Sequence, residues 1–525
     1  MVTHSKTKWF WLAALVVAWF ADFLFWGGAP GISFPIWILT VLVAGFLLSW
    51  RLRSRPSPWT YLLAALTLFF AAAVTFRVNP MVILASVAMV TGGLILIAAT
   101  FLNGNWTRFR MVDYLVEGLK VIWAGFSRAY QTFSQPPEAE GQPAPRSFWR
   151  KAAPIIRGVL ITIPVLAVFT ALFSSADPVF SDWVQRLFNL EKLPEYLLRL
   201  MLILMLAYWL VGMFLHAIQP TAKAERPDPS KSWMKPFLGW TESTILLGAV
   251  NLLFITFVII QVRYLFGGTA NISETGFTYS AYARRGFSEL VAVAALSLVL
   301  FLVLSTITRM ESPTRRRVFS GLIILLMANV LVILASSLQR LMLYESAYGF
   351  SQLRTVTHVF IFWLAALVVI AAVLEGIQQR GRFALALLIA VVGFSASLVL
   401  MNVDGFVARK NIERAAQGEE FDAAYLTVLT SDAVPALMSA YKDPTLPTQV
   451  HDGLGIVLAC RNMELQDALP QDWQSIHFGM AQEAKLLQEN ANLFSGVKLQ
   501  KDAEGFYFGM LNGGVLYCNR ASSMN

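Results

Sequence analysis

Long apolar runs, interrupted by short polar stretches, extend along the chain from residue 9 to residue 401. Each run has about 20 mainly apolar residues, which is the length that crosses the hydrocarbon core of a bilayer as a helix. Open strands would leave backbone groups unpaired in lipid, so the pattern predicts an all-α polytopic transmembrane helix bundle. About eleven spans are expected, at approximately 9–26, 32–50, 58–76, 81–101, 158–175, 196–217, 242–266, 287–308, 318–338, 355–375 and 383–401.

The beginning of the chain, MVTHSKTK followed by the first apolar run, resembles the start of a signal peptide. No small-x-small cleavage pattern follows this run, and a second apolar run comes soon after it. The first run is therefore expected to be retained as the first span.

Lysine and arginine are distributed unevenly between alternate loops. If the N-terminus lies in the cytoplasm, the inside segments hold 23 of these residues and the outside segments hold 9. Basic loops tend to stay in the cytoplasm, so the bias predicts this N-in orientation. Eleven crossings then place the C-terminus outside the cytoplasm.

Composition supports a membrane protein and separates the tail from the rest. The chain is 57% hydrophobic and only 14% charged, whereas a soluble protein has about 25% charged residues. Residues 402–525 instead hold 15 acidic and 9 basic residues and no spanning run. Helical spacing, followed by alternation around glycines, predicts a small, mainly α extracytoplasmic domain that ends in a β-hairpin.

These patterns suggest four regions. Residues 1–101 form four N-terminal transmembrane helices, 158–401 a seven-helix transmembrane core, and 402–525 the extracytoplasmic domain. The cytoplasmic segment 102–157 includes RMVDYLVEGLKVIWAGFSRAYQTF, in which apolar residues recur at i, i+3 and i+4. This spacing predicts an amphipathic helix at the membrane surface.

The two cysteines of the chain, Cys460 and Cys518, both lie in the tail. An oxidising compartment would allow a disulfide between them, and two unpaired thiols are the alternative. Neither cysteine has a partner at metal-ligand spacing and the five histidines do not cluster, so we expect no metal site. No Walker loop, HExxH or G-x-S-x-G motif occurs, so the sequence indicates no cofactor and favours a non-enzymatic role.

Polar residues inside spans are costly, and they concentrate in the seventh to tenth spans. Several basic and aromatic residues there lie on the predicted outer side, against the positive-inside bias. The candidate anion- or partner-binding residues are Arg263, Tyr279, Tyr282, Arg284, Arg285, Glu289, Arg340, Tyr344, Arg354 and His358.

Two interpretations of this outer layer stay open. It could be a structural ion-pair layer, because Arg285 and Glu289 are four residues apart on one helix and the acidic tail could dock on the other arginines. It could also be an outward-facing anion site, since the arginine fork matches phosphate or carboxylate. His358 follows Arg354 by four residues and shares its helix face.

Three stretches resemble the polytopic bacterial membrane proteins grouped as domain of unknown function 4173, with the related 4153 group. The first runs from ESTILLGAVNLLFITFVIIQVRYLFGG to TYSAYARRGFSEL, the second is SSLQRLMLYESAYGFSQLR, and the third is NVDGFVARKNIERAAQGEEFDAAYLTVLTSDAVPAL. The matching positions include Glu242, Asn251 and Arg284; Arg340, Tyr344, Gly349 and Arg354; and Asn402, Asp404, Asn411, Arg414 and Asp432. The resemblance implies an integral membrane protein of bacteria with a soluble C-terminal part and no established activity.

Together these observations predict a multi-pass protein of the bacterial inner membrane. We expect a sensor, regulatory or scaffold role in which the outer face binds an anionic ligand, a lipid head group or a partner protein. The C-terminal domain is expected to contribute to contact with a protein partner, and no nucleic acid is involved. A secondary transporter is one alternative. An envelope transferase acting on a lipid-linked substrate is another, with Glu274, Glu289 and Asp404 as its acidic candidates.

Overall fold

The computed structural model describes residues 4–134, 193–219, 236–266, 287–310, 312–467, 472–511 and 514–518, together with scattered positions between 158 and 180. In this part of the chain, ten helices are long and apolar enough to cross a membrane, which confirms the predicted all-α polytopic bundle. The expected span at 158–175 falls largely outside the described residues.

Within the first 266 residues, the structure gives the bounds of seven helices. They are α1 His4–Phe25, α2 Ser33–Arg51, α3 Pro58–Phe76, α4 Pro80–Thr100, α5 Met111–Ser134, α6 Leu193–Ile218 and α7 Trp240–Phe266. Four more complete the apolar set: α8 Phe287–Ile307, α9 Pro313–Tyr348, α10 Gln352–Gly376 and α11 Phe383–Met401. The remaining helices are α12 Val403–Ala416, α13 Ala423–Thr427, α14 Val434–Tyr441, α15 Thr448–Asp467, α16 Phe478–Glu489 and α17 Ala491–Phe494. Single 3₁₀ turns occur at Asn105–Arg108, Arg380–Arg382, Ser431–Ala433 and Trp473–Ser475.

The chain forms two compact units. The first consists of Met1–Leu68, Gly93–Gly104 and Val116–Ala224. In it α1 packs against α2 and α6. A salt bridge joins α1 to α6, with Arg199 Nη2 2.6 Å from Asp22 Oδ2. A buried charge is tolerated inside a bundle when it is paired in this way.

Helix α5 has an amphipathic pattern. In the first unit its Gly125 lies against Gly212 of α6, where an added Cβ on Gly212 would collide with the carbonyl oxygen of Gly125. Arg128 donates to the carbonyl of Leu215, in the last turn of α6. The apolar side chains of Leu119, Trp123, Phe126 and Tyr130 are exposed. The position of α5 at the membrane surface stays a prediction.

The second unit consists of Phe69–Gly92, Asn105–Leu115 and Glu225–Asn525. Its central helix is α9, which contacts α7, α8 and α10, while α10 packs against α11. Fully buried Phe319, Ile323, Leu326 and Met327 place one face of α9 in the apolar core. Helix α9 has 36 residues, which corresponds to about 54 Å.

Beyond α11 the structure is short-helical and ends in a small sheet. The strands β1 Gln500–Lys501, β2 Tyr507–Leu511 and β3 Gly514–Tyr517 form an antiparallel sheet in the order β1-β2-β3, which confirms the expected terminal hairpin. A disulfide joins Cys460 of α15 to Cys518 at the end of β3, with the Cα atoms 5.3 Å apart.

Candidate functional site

Four of the ten candidate residues lie at one place, the connection between α9 and α10. We call residues 340–358, which include Arg340, Tyr344, Arg354 and His358, the α9–α10 corner. Glu289 lies at the start of α8, where Ser288 donates to its carboxylate. Tyr279, Tyr282, Arg284 and Arg285 and the side chain of Arg263 lie outside the described residues, so the candidate Arg285–Glu289 pair does too.

The corner is formed by a glycine and a serine cap. Helix α9 ends at Tyr348, and Gly349 follows with φ +76°, a conformation that favours glycine. Ser351 then caps α10 by accepting the N–H of Arg354. Asn411 of α12 bonds both backbone groups of Phe350, at 2.7 Å and 2.9 Å, which fixes the turn.

Arg354 is held by two kinds of contact. Its Nη1 donates to the carbonyls of Gly349 and Tyr348, and its guanidinium lies 4.1 Å from the ring centroid of Tyr344. Its Nε and Nη2 donate to no atom of the described chain, and Arg354 forms no salt bridge with a described carboxylate. The Nε–Nη2 edge is the edge that binds phosphate or carboxylate with two parallel hydrogen bonds.

One helical turn from Arg354, His358 contacts a buried acid. Its Nδ1 is 3.2 Å from Glu345 Oε1, and Glu345 is only 3% exposed. The two atoms are within ion-pair distance, but Glu345 Oε1 accepts no hydrogen bond from the part of the chain that the structure describes. The corner therefore contains an acid–base contact in which Glu345 faces His358, and no described arginine pairs with Glu345.

Arg340 faces a different set of neighbours. Its Nη2 donates to Gln261 Oε1 at 3.0 Å, and Ser336 donates to the same oxygen at 2.8 Å. Farther along the same two helices, Asn329 donates to Asn251 at 3.4 Å. These hydrogen bonds join α7 to α9 through polar groups inside the bundle, which indicates a packing role for Arg340.

An apolar cleft begins at His358 and extends away from the corner between α9, α10 and α11. Its volume is about 560 Å³. Among the described residues of its lining, His358 is the one titratable side chain, and the indole N–H of Trp363 donates to the Ser397 hydroxyl at 3.1 Å. The lining consists of Leu331, Leu334, Ala335, Leu338, His358, Val359, Ile361, Phe362, Trp363, Ala365 and Ser397.

A buried carboxylate network lies at the same end of the bundle, and the sequence did not reveal it. We use this name for Asp404 and Asp432 together with Asn79, Asn402, Gln352 and Thr430. Asp404 is fully buried and accepts hydrogen bonds from Asn79 Nδ2 at 2.8 Å, Gln352 Nε2 at 2.7 Å and Thr430 N at 3.0 Å, and from the Thr430 hydroxyl. Asp404 thus ties the α3–α4 turn to α10 and to the segment before α14.

Asp432 completes the network from the other side of the same turn. It accepts the backbone N–H groups of Val78 at 2.9 Å and Asn79 at 3.3 Å, and Asn402 donates to its carbonyl. Burial raises the pKa of Asp432 above its ordinary value, while the two N–H groups oppose this rise. Protein donors surround both carboxylates, so the network is suited to holding elements together rather than to binding a cation. In the described residues no three His, Cys, Asp or Glu side chains are grouped for a metal ion.

Comparison with known proteins supports one family. Residues 60–440 match the model of a domain of unknown function, DUF4153. No curated protein and no solved structure matches the chain. The matched range includes the α9–α10 corner and the carboxylate network, whereas the expected similarity to group 4173 stays a prediction. Because the match covers well over half of the chain, this multi-pass membrane protein belongs to the DUF4153 family.

Proposed function

We propose that the α9–α10 corner binds one anionic lipid in the outer leaflet, and that the protein serves as a non-enzymatic sensor, regulator or scaffold of the cell envelope. The observation that carries this proposal is the Nε–Nη2 edge of Arg354. That edge is oriented by Tyr344 and by two backbone carbonyls, yet it has no hydrogen-bond acceptor in the described chain.

Arg354 would bind the anionic head group of the lipid. Phosphate and carboxylate oxygens accept both hydrogen bonds of an arginine edge in one plane. The contacts of Arg354 with Tyr344 and Gly349 restrict its side chain before the ligand arrives, so less conformational entropy is lost on binding. Hydrogen bonds to charged groups contribute about 1.5–3 kcal/mol each, so the two together give roughly 3 kcal/mol or more.

The apolar cleft would bind an acyl chain of the same lipid. The cleft starts at His358, one turn from Arg354, and continues along α10 as far as Ala365. Seven residues of helix correspond to about 10 Å. On α9 it extends from Leu338 to Leu331. A polar head at Arg354 and an apolar chain in the cleft match the two halves of one lipid molecule.

Charge and disulfide placement support an outward-facing corner. At the opposite side of the bundle, basic groups lie in the first turns of α9 and in the turn between α10 and α11, which favours the cytoplasm for that side. They are Arg315, Arg316, Arg317, Arg380 and Arg382. The Cys460–Cys518 disulfide lies in the part that follows α11, and disulfides persist outside the cytoplasm. The bacterial inner membrane remains the predicted location.

Native mass spectrometry tests the proposal. Wild type and Arg354→Gln would be reconstituted in nanodiscs of mixed zwitterionic and anionic phospholipids. Arg382→Gln removes the same charge from an exposed site in the turn between α10 and α11 and is the matched control. Wild type and the control should retain one anionic phospholipid. Arg354→Gln should bind it about 100-fold more weakly, because roughly 3 kcal/mol of binding energy is lost.

A cleft variant separates head-group from chain recognition. Ala335 is an exposed lining residue, so Ala335→Phe fills the cleft without disturbing the core. It should also lose the retained lipid while keeping the melting temperature of wild type. If Arg354→Gln retains as much anionic lipid as wild type, or if wild type does not distinguish anionic from zwitterionic lipid, the proposal is wrong.

A further inference from the structure

The first turn of α16 lies directly against the end of a membrane-spanning helix. His477 Nδ1 is 3.1 Å from the carbonyl oxygen of Val74, in the last turn of α3. A Cβ on Gly479 would stand 3.0 Å from Val78 and 3.4 Å from the carbonyl oxygen of Phe76. The absence of a side chain at Gly479 therefore allows α16 to approach the α3–α4 turn closely.

Next to this contact the protein exposes a group of large apolar side chains. Trp473, Ile476 and Phe478 are 46%, 37% and 42% exposed, and Phe76, the last residue of α3, is 55% exposed. The rings of Phe76 and Phe478 are stacked with centroids 5.0 Å apart. We call these four residues the apolar patch. It is continuous with the end of a helix that crosses the membrane.

Two physical facts indicate what covers the patch. Tryptophan and other aromatic side chains are enriched where a protein meets the head-group region of a bilayer, because their rings are apolar and the indole N–H remains hydrated. Residues 402–525 also carry 15 acidic and 9 basic side chains, so charge does not attract this region to an anionic surface. Direct contact of this region with the lipid is therefore expected to come from apolar side chains.

We infer that residues 473–478 insert into the interfacial layer of the leaflet in which α3 ends, and that this contact adds to the hydrogen bonds that hold the region after α11 at the membrane surface. The occupant of the patch is the bilayer that surrounds the protein. The inference is independent of the lipid proposed for the α9–α10 corner, because none of the four patch residues belongs to that corner or to its cleft.

Single-site labelling tests the inference in the full-length protein. The two native cysteines are bridged, so a thiol-reactive environment-sensitive fluorophore should not label wild type and should label Trp473→Cys once. Leu493→Cys is the matched control, since Leu493 is 50% exposed in the same region outside the patch. The label is read in nanodiscs with and without lipids that carry a nitroxide quencher near the head group.

The label at position 473 should emit at shorter wavelength than the label at position 493. Nitroxide lipid should also quench it roughly twofold or more strongly, as expected for a residue at head-group depth. High salt should leave both signals unchanged, because apolar contact is not screened. Ile476→Cys provides a second patch position in case Trp473→Cys fails to fold. Equal quenching at patch and control positions would overturn the inference.

Discussion

Removal of the Asp404 carboxylate should open the contact between α12 and the α3–α4 turn. The carboxylate is fully buried and accepts four hydrogen bonds, two of them from Thr430. Asp404→Ala leaves all four donors without this acceptor. The Thr430 hydroxyl can rotate and the half-buried Gln352 can turn toward water, but the amide of Asn79 and the backbone N–H of Thr430 cannot move as freely.

The expected cost follows from the two donors that stay buried. An unsatisfied buried donor costs about 1–3 kcal/mol, so two of them cost roughly 4 kcal/mol. Asp404→Asn keeps one acceptor oxygen and should cost about half as much. A loss of 4 kcal/mol increases the opening equilibrium about a thousandfold, since every 1.4 kcal/mol is a factor of ten.

Hydrogen exchange measured by mass spectrometry reports this opening directly, because amide protection depends on the free energy of local unfolding. Peptides of α12 and of the α3–α4 turn should exchange about a thousandfold faster in Asp404→Ala. The matched control is Asp422→Asn, an exposed aspartate that caps α13 through the N–H of Tyr425. Asparagine caps equally well, so this control should not change exchange. If Asp404→Ala protects these amides as well as the control does, the network does not hold the two elements together.

Three further predictions concern the disulfide, an ion pair and pH. The Cys460–Cys518 disulfide closes a loop of 58 residues, so its reduction should lower the free energy of unfolding of this region by about 4 kcal/mol. Addition of reductant should therefore lower the melting temperature, and an unchanged melting temperature refutes this prediction. Glu375→Gln breaks the buried pair with Arg380 and should cost about 3 kcal/mol in chemical unfolding; a loss below about 1 kcal/mol contradicts it. Burial raises the pKa of Asp432 in the folded state above 3.8, so the fold favours the protonated carboxyl. The stability that this protonation contributes is present at low pH and is lost as pH rises through the folded-state pKa. Wild type should therefore lose stability relative to Asp432→Asn as pH rises from 3.8, and a parallel pH dependence of the two proteins excludes this effect.

Hydropathy predicted the spans well because each is an uninterrupted apolar run, but it did not predict where the helices end. The expected span 318–338 is the apolar middle of α9, which continues to Tyr348. The residues SSLQRLMLYESAY contain no proline or glycine, so the backbone hydrogen bonds continue after the apolar run stops. The apolar run therefore gives no indication that Tyr344, which lies beyond the expected span, still belongs to the helix.

Local spacing predicted part of the site, while distant partners could not be predicted. The four-residue interval between Arg354 and His358 is enough to place both side chains on one face of α10. Asn79 and Asp404 are 325 residues apart, and no periodicity relates them. The sequence analysis did not pair Asp404 with Asp432, because their partners are largely backbone N–H groups and amides of other elements.

The length of α9 has a consequence for how the protein fits bilayers of different thickness. Transmembrane helices tilt by at most about 40°, and at that tilt a helix of about 54 Å still spans roughly 41 Å along the bilayer normal. This exceeds the hydrocarbon thickness of about 30 Å and equals that of a bilayer with its head groups. We therefore expect changes in bilayer thickness to be accommodated at the polar ends of α9, with Tyr344 and the neighbouring Arg354 at head-group depth.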